Sequence, residues 1–163
     1  MKFNSIALKA IYLHEMDRFR RTLAQSLLSP VLSTSLYFIV FGSVIGGYVQ
    51  KIDGISYGSY IVPGLLMLTL LTQSISNTSF GIFFPKFNGT IYEILAAPIS
   101  TLEIVLAFVG AGATKTLIVG VMIFITATFF VEVEVKYPVL MIFLLVLVSF
   151  TFALFGFLIG LMS

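Results

Sequence analysis

Three observations predict an all-α membrane protein. Apolar residues fill 59% of the 163 positions and charged residues only 10%, against about 25% charged in ordinary soluble domains. Four apolar runs, near 27–49, 60–84, 102–130 and 139–162, each reach the ~20 residues a helix needs to cross a bilayer. The charges are also segregated, with Lys2, Lys9, Arg18, Arg20 and Arg21 in the first 21 residues. Mean hydropathy is +1.11. A net charge of +2 is too small to point to nucleic acid. The absence of cysteine excludes disulfides, thiolate metal sites and cysteine nucleophiles. One histidine, His14, cannot build a histidine metal cluster. Neither a catalytic nor a metal-ligating set is therefore predicted.

The chain opens with an amphipathic helix over 5–23. Leu8, Tyr12, Met16, Phe19 and Leu23 recur at steps of four, four, three and four, which puts them on one face. Ser5 is the expected N-cap. Lys9, Arg18, Arg20 and Arg21 can face anionic headgroups, which makes the helix interfacial. It can equally pack on the cytoplasmic ends of its own protein, and the two placements are compatible. The basic and acidic residues continue to Arg21, unlike the short basic region and ~7–15-residue apolar core of a cleaved signal.

The first span is uncharged, with Pro30 near its expected start, where a helix tolerates proline. On the second span Thr69, Thr72, Gln73, Ser76 and Asn77 share one face. Lipid leaves such groups without partners, so this face must meet protein or water. It is a candidate for helix packing or for a transport path. The third run holds Lys115. A charge at depth is often functional, but a long helix can also let Lys115 snorkel or reach a cavity. Around it, "GAGATKT" (110–116) superficially resembles a phosphate-binding loop, yet Thr114 and Val109 stand where that motif needs glycine. Its small residues suit close helix approach instead. Glu132 and Glu134 alternate with valines in "VEVEV", the pattern of an extended, exposed segment. The fourth run is uncharged and reaches Met162 without a basic anchor, which predicts a fragment of a protein with further spans.

Orientation follows from counting Lys and Arg. With the N-terminus inside, the inner side holds six (2, 9, 18, 20, 21 and 86) and the outer side two (51 and 136). The excess belongs in the cytoplasm, and so does "KFNGTIYEILAAPIS" at 86–100. This stretch is too polar to span. Asn88 or Thr90 can cap a helix, and Glu93 stands at capping-box spacing from Thr90. Ile91 and Leu95, with Ile94 near them, form an apolar face, and Pro98 stops the helix. About two turns should lie on the membrane surface with Ile91 and Leu95 uncovered. "NGT" at 88–90 matches a glycosylation acceptor, but a cytoplasmic position argues against modification.

The region "YIVPGLLMLTLLTQSISNTSFGIFFPKFNGTIYEILAAPIS" resembles the signature region of type-2 ABC exporter permeases, the bacterial inner-membrane group that exports drugs, polysaccharides and nodulation factors. The matching elements are "VPGLLM" (62–67), Asn77-Thr78-Ser79, "PKF" (85–87) and "IYEILAAPIS" (91–100), together with "HEMDRFRR" and "LYFIVFGSVIG". The resemblance implies six spans per permease, two permeases per transporter (a homodimer) and a separate ATPase that binds ATP and magnesium. It implies no cofactor on this chain. It also implies that the loop between spans two and three is a coupling helix resting on the ATPase. Ile91, Tyr92, Glu93, Ile94, Leu95, Ala96 and Ala97 match that helix. The expectation is a single multi-pass permease domain over 1–163, interrupted after four of six spans and moving an amphipathic, lipid-linked or drug-like cargo outward. The rival is a secondary transporter or channel using Lys115 and the polar face of span two. That rival needs acidic residues in the membrane, and the spans read as having none.

Overall fold

The protein is described by a computed structural model covering residues 4–45, 48, 51–52 and 54–163. In hydrocarbon a backbone must satisfy its own hydrogen bonds, and the apolar runs accordingly form helices. They are α1 (Ser5–Arg21), α2 (Leu23–Tyr37), α3 (Tyr57–Phe87), α4 (Ile91–Ala96), α5 (Thr101–Phe130) and α6 (Pro138–Met162). A π-helical segment, Phe38–Ile45, continues α2. Leu23–Gly42, α3, α5 and α6 are each long and apolar enough to cross a membrane. The class and the number of spans match the sequence reading. The expected end of span one, Val49, lies outside the described residues.

Several boundaries move. Asn4, not Ser5, caps α1, its side chain accepting from the Ala7 N–H at 3.2 Å. Thr22 barely separates α1 from α2. Its N–H bonds the carbonyls of Arg18 and Phe19, and its own carbonyl already accepts from Ser26 at 2.9 Å. The second helix thus starts at Leu23, and Pro30 lies buried inside it rather than near its start. Between spans one and two the expected loop contains a small antiparallel ribbon, β1 (Lys51–Ile52) with β2 (Ile55–Ser56), pairing Ile52 with Ile55. Gly54 beside β2 lies at φ 85°, a left-handed backbone that glycine adopts without steric cost.

α5 is central, with α1, α2, α3 and α6 all packed on it. At one end its residues Ile104, Phe108, Val109 and Ala113 meet Ile82 of α3 and Ala153 and Phe157 of α6. At the other end Ala127 joins Phe38 and Val62, and Phe130 stacks on Phe38 with centroids 5.8 Å apart. The small residues of 110–116 serve packing, since a Cβ on Gly112 would sit 1.9 Å from Thr78 Oγ1. α6 approaches α3 even more closely through Gly156 and Gly160. A Cβ on either would fall within 2.8 Å of α3 backbone, at Ile75 and Ser79. This is the Gly-x-x-x-Gly device for bringing helix backbones together. The Ser74 hydroxyl fastens the same interface by donating to the Ser149 carbonyl at 2.6 Å. Residues 131–137 form neither helix nor strand; Val131 is extended at φ −143°, ψ 151°, Val131 and Val133 pack against the core, and Glu132 and Glu134 are exposed.

Candidate functional site

The α3–α4 turn is built by one glycine. The Asn88 N–H closes on the Phe84 carbonyl at 2.9 Å and the Gly89 N–H on that of Lys86 at 3.3 Å. Gly89 lies at φ 78°, the left-handed position that ends helices and penalises any side chain. Gly89→Val is expected to lower stability by about 1–2 kcal/mol, read as a lower melting temperature of the solubilised protein. Thr90 is already helical at φ −62°, ψ −19°, and its hydroxyl makes no capping bond. The expected Thr90–Glu93 capping box is therefore absent.

A capping box exists one helix later. The Ser100 hydroxyl accepts from the Glu103 N–H at 3.4 Å, and Glu103 Oε2 accepts from the Ser100 N–H at 2.7 Å. The other Glu103 oxygen takes the backbone N–H of Asn4, tying the start of α1 to the start of α5. Pro98 ends α4 as expected, because the residue before a proline avoids the helical region. Ala97 is extended at φ −72°, ψ 152°.

α4 does not expose the pair the sequence suggested. Ile91 and Ile94 turn inward and pack on the core around Ile82, Ile104 and Phe108. Tyr92 and Leu95 point outward, 73% and 63% exposed, with Glu93 and Ala96 beside them and Ala97 half-buried. The correction has a helical cause. Positions 91 and 94 share the face that six residues can press onto α3, leaving 92 and 95 on the other side. Nearby, Lys86 Nζ donates to the Leu161 carbonyl at 2.7 Å. This bond ties the end of α3 to α6.

The polar face of α3 runs along its outer side. Thr72 and Ser76 are exposed and Thr69, Gln73 and Asn77 half-buried, while Leu66, Leu70, Ser74 and Thr78 form the inward edge. Thr69 and Thr72 return their hydroxyl protons to the carbonyls of Leu65 and Leu68, at 2.8 and 3.0 Å. The amides of Gln73 and Asn77 bond each other at 3.5 Å.

Lys115 neither snorkels nor stands free. It is 3% exposed, and its Nζ lies 2.7 Å from Glu15 Oε2. Arg18 reaches the same oxygen at 3.2 Å, with its guanidinium 5.7 Å from the centre of the Phe84 ring. One carboxylate thus binds two cations from two helices. Sequence reasoning missed Glu15, yet a signal was present. Glu15 lies on the inward side of α1 between Tyr12 and Phe19, and a carboxylate on an apolar stripe needs a buried cation. It also missed Glu103, which lies just inside the third run. Beside the cluster, a cavity of about 400 Å³ opens toward the α3–α4 turn between His14, Arg18, Phe84 and Asn88.

A family model for ABC-2 type transporters matches residues 6–163. The chain belongs to the ABC-2 type transporter family. Over 155 residues it is 39% identical to the inner membrane transport permease YadH of Escherichia coli strain K12, covering 95% of this chain and 60% of that protein. The same identity and coverage hold for YadH of Shigella flexneri. Nodulation protein J of Azorhizobium caulinodans is 22% identical over 130 residues, 79% of this chain and 51% of that protein. The chain thus spans about 60% of the YadH length. No solved structure matches it.

Proposed function

We propose that this chain is the greater part of a permease of an ATP-driven exporter in the bacterial inner membrane, with its N-terminus and α4 in the cytoplasm. ATP and magnesium are bound by a separate ATPase, and α4 rests on that subunit. The observation that carries the reading is the two-sided character of α4. Ile91 and Ile94 anchor it to the core, while Tyr92 and Leu95 stand exposed where a partner can cover them. The charge count supports the orientation, and the permeases to which the chain is similar support transport. A second copy completes the path, with Thr69, Gln73 and Asn77 on its wall, because a polar strip on the outside of a spanning helix requires protein or water opposite it. Cargo of amphipathic, lipid-linked or drug-like character fits such a path. An ion route through Lys115 is disfavoured, since Glu15 already holds its ammonium group.

The test is affinity purification of the full-length permease in mild detergent. Native protein should retain an ATPase subunit, whereas Tyr92→Asp and Leu95→Asp should each weaken retention about tenfold or more, as for exposed anchors at an interface. Neither change should unfold the spans, because both side chains point away from the core. Full retention by both variants would remove α4 as the docking element.

A further inference from the structure

We propose that Glu15, Lys115 and Arg18 form a register lock that makes α1 and α5 a single moving body. α1 would then be a positioning element in the path from α4 to the spans, rather than a passive surface anchor. The inference rests on the docking of an ATPase at α4.

Three contacts fix α1 along α5, at Asn4 with Glu103, Tyr12 with Thr114 and Glu15 with Lys115. They follow each other in the same order on both helices. From Asn4 to Glu15 is eleven residues, and from Glu103 to Lys115 twelve, about 16 and 18 Å of helix. α1 therefore lies lengthwise on α5. Where Tyr12 crosses α5 it meets small residues: a Cβ on Gly110 would touch its ring at 3.9 Å, and Thr114 bonds its hydroxyl. Such a surface allows close approach but specifies no register. A buried ion pair does specify one, because a slip of one turn, about 5.4 Å, strands a charge in an apolar setting.

The lock also reaches the third helix. Glu15 lies against Gly81 of α3, where a Cβ would meet its Oε2 at 3.4 Å. Ile11 of α1 packs on the same core cluster as Ile91 and Ile94 of α4. A displacement of α4 thus meets α1 and α5 together. Because Ser26 already bonds Thr22 at 2.9 Å across the junction, motion of α1 continues into α2.

These 163 residues hold no cysteine, and with any cysteine elsewhere in the full-length permease changed to serine a crosslinking test reads α1 against α5 alone. Cysteines replace Tyr12 and Thr114 in the full-length permease with its ATPase in membrane vesicles, and a short bifunctional thiol reagent joins them. With the native ion pair, the crosslink yield should be the same without nucleotide and with ATP and vanadate. Glu15→Gln and Lys115→Met should each reduce it about tenfold, a buried unpaired charge exceeding that factor in free energy, and make any residue of it nucleotide-dependent. The exchange Glu15→Lys with Lys115→Glu keeps two cations and one carboxylate and should restore the native yield. Native-like crosslinking in both single variants overturns the lock, and so does a native yield that changes with nucleotide. If the single variants aggregate, the exchange decides: recovery supports the lock, and failure to recover overturns it. Failure of the ATPase to co-purify with the native permease would instead remove the docking reading. The nucleotide-free crosslinks would still judge the lock.

Discussion

Lys115→Met alone is expected to destabilise the protein by about 3 kcal/mol, at the low end of the range for stranding one partner of a buried pair. The side chain of Glu15 is 3% exposed, so losing the ammonium leaves a carboxylate cut off from water. Arg18 moderates the loss, because it already touches Glu15 Oε2 at 3.2 Å and is partly exposed. Replacing both residues with methionine removes the stranded charge together with its partner. That double variant should recover most of the loss, since apolar replacement of a whole buried pair is often neutral. Thermal unfolding in detergent measures all three proteins. A single variant as stable as the native protein would mean that the cluster is hydrated, and the energetic argument would fall with it.

The second large effect concerns the α3–α6 interface. Gly156→Val should cost about 1–3 kcal/mol or more, the usual penalty for forcing atoms into a packed interior. The obstacle is backbone: a Cβ would meet the Ile75 carbonyl oxygen at 2.5 Å and its Cα at 2.8 Å, and neither can turn aside as a flexible side chain can. Gly160→Val meets Ser79 backbone and Ile82 in the same way, and the pair of changes should separate α6 from α3. Gly64 is the control, with nothing within 4 Å of an added Cβ. Gly64→Ala should leave stability unchanged or raise it by up to about 1 kcal/mol through helix propensity. A loss at Gly64 equal to that at Gly156 would show that glycine mobility, not close packing, governs α6.

Much of the fold was legible because hydrocarbon tolerates few alternatives. A run of some twenty predominantly apolar residues is read as helical, and four such runs became four long helices. The valine–glutamate alternation of 131–135 announced an exposed segment, which holds for Glu132 and Glu134, while Val131 and Val133 pack against the core. Local signals were less secure. Thr90 and Glu93 stand at capping-box spacing, but the left-handed Gly89 places Thr90 inside the turn, so its hydroxyl cannot cap. Ile91 and Leu95 looked equivalent on a helical wheel, and only the position of the core separates them.

The sequence by itself determined the membrane class, the number of spans, the short helix between spans two and three and the family. All of these depend on local composition or on contiguous motifs. Tertiary structure alone decided the partners: Glu15 with Lys115, a hundred residues apart, Lys86 with the end of α6, and Gly156 against Ile75. The physical reason is that a single charge or glycine has the same local appearance whether it meets solvent, lipid or another helix. Its energy depends on what the fold places within a few ångströms of it, and no local pattern carries that distance.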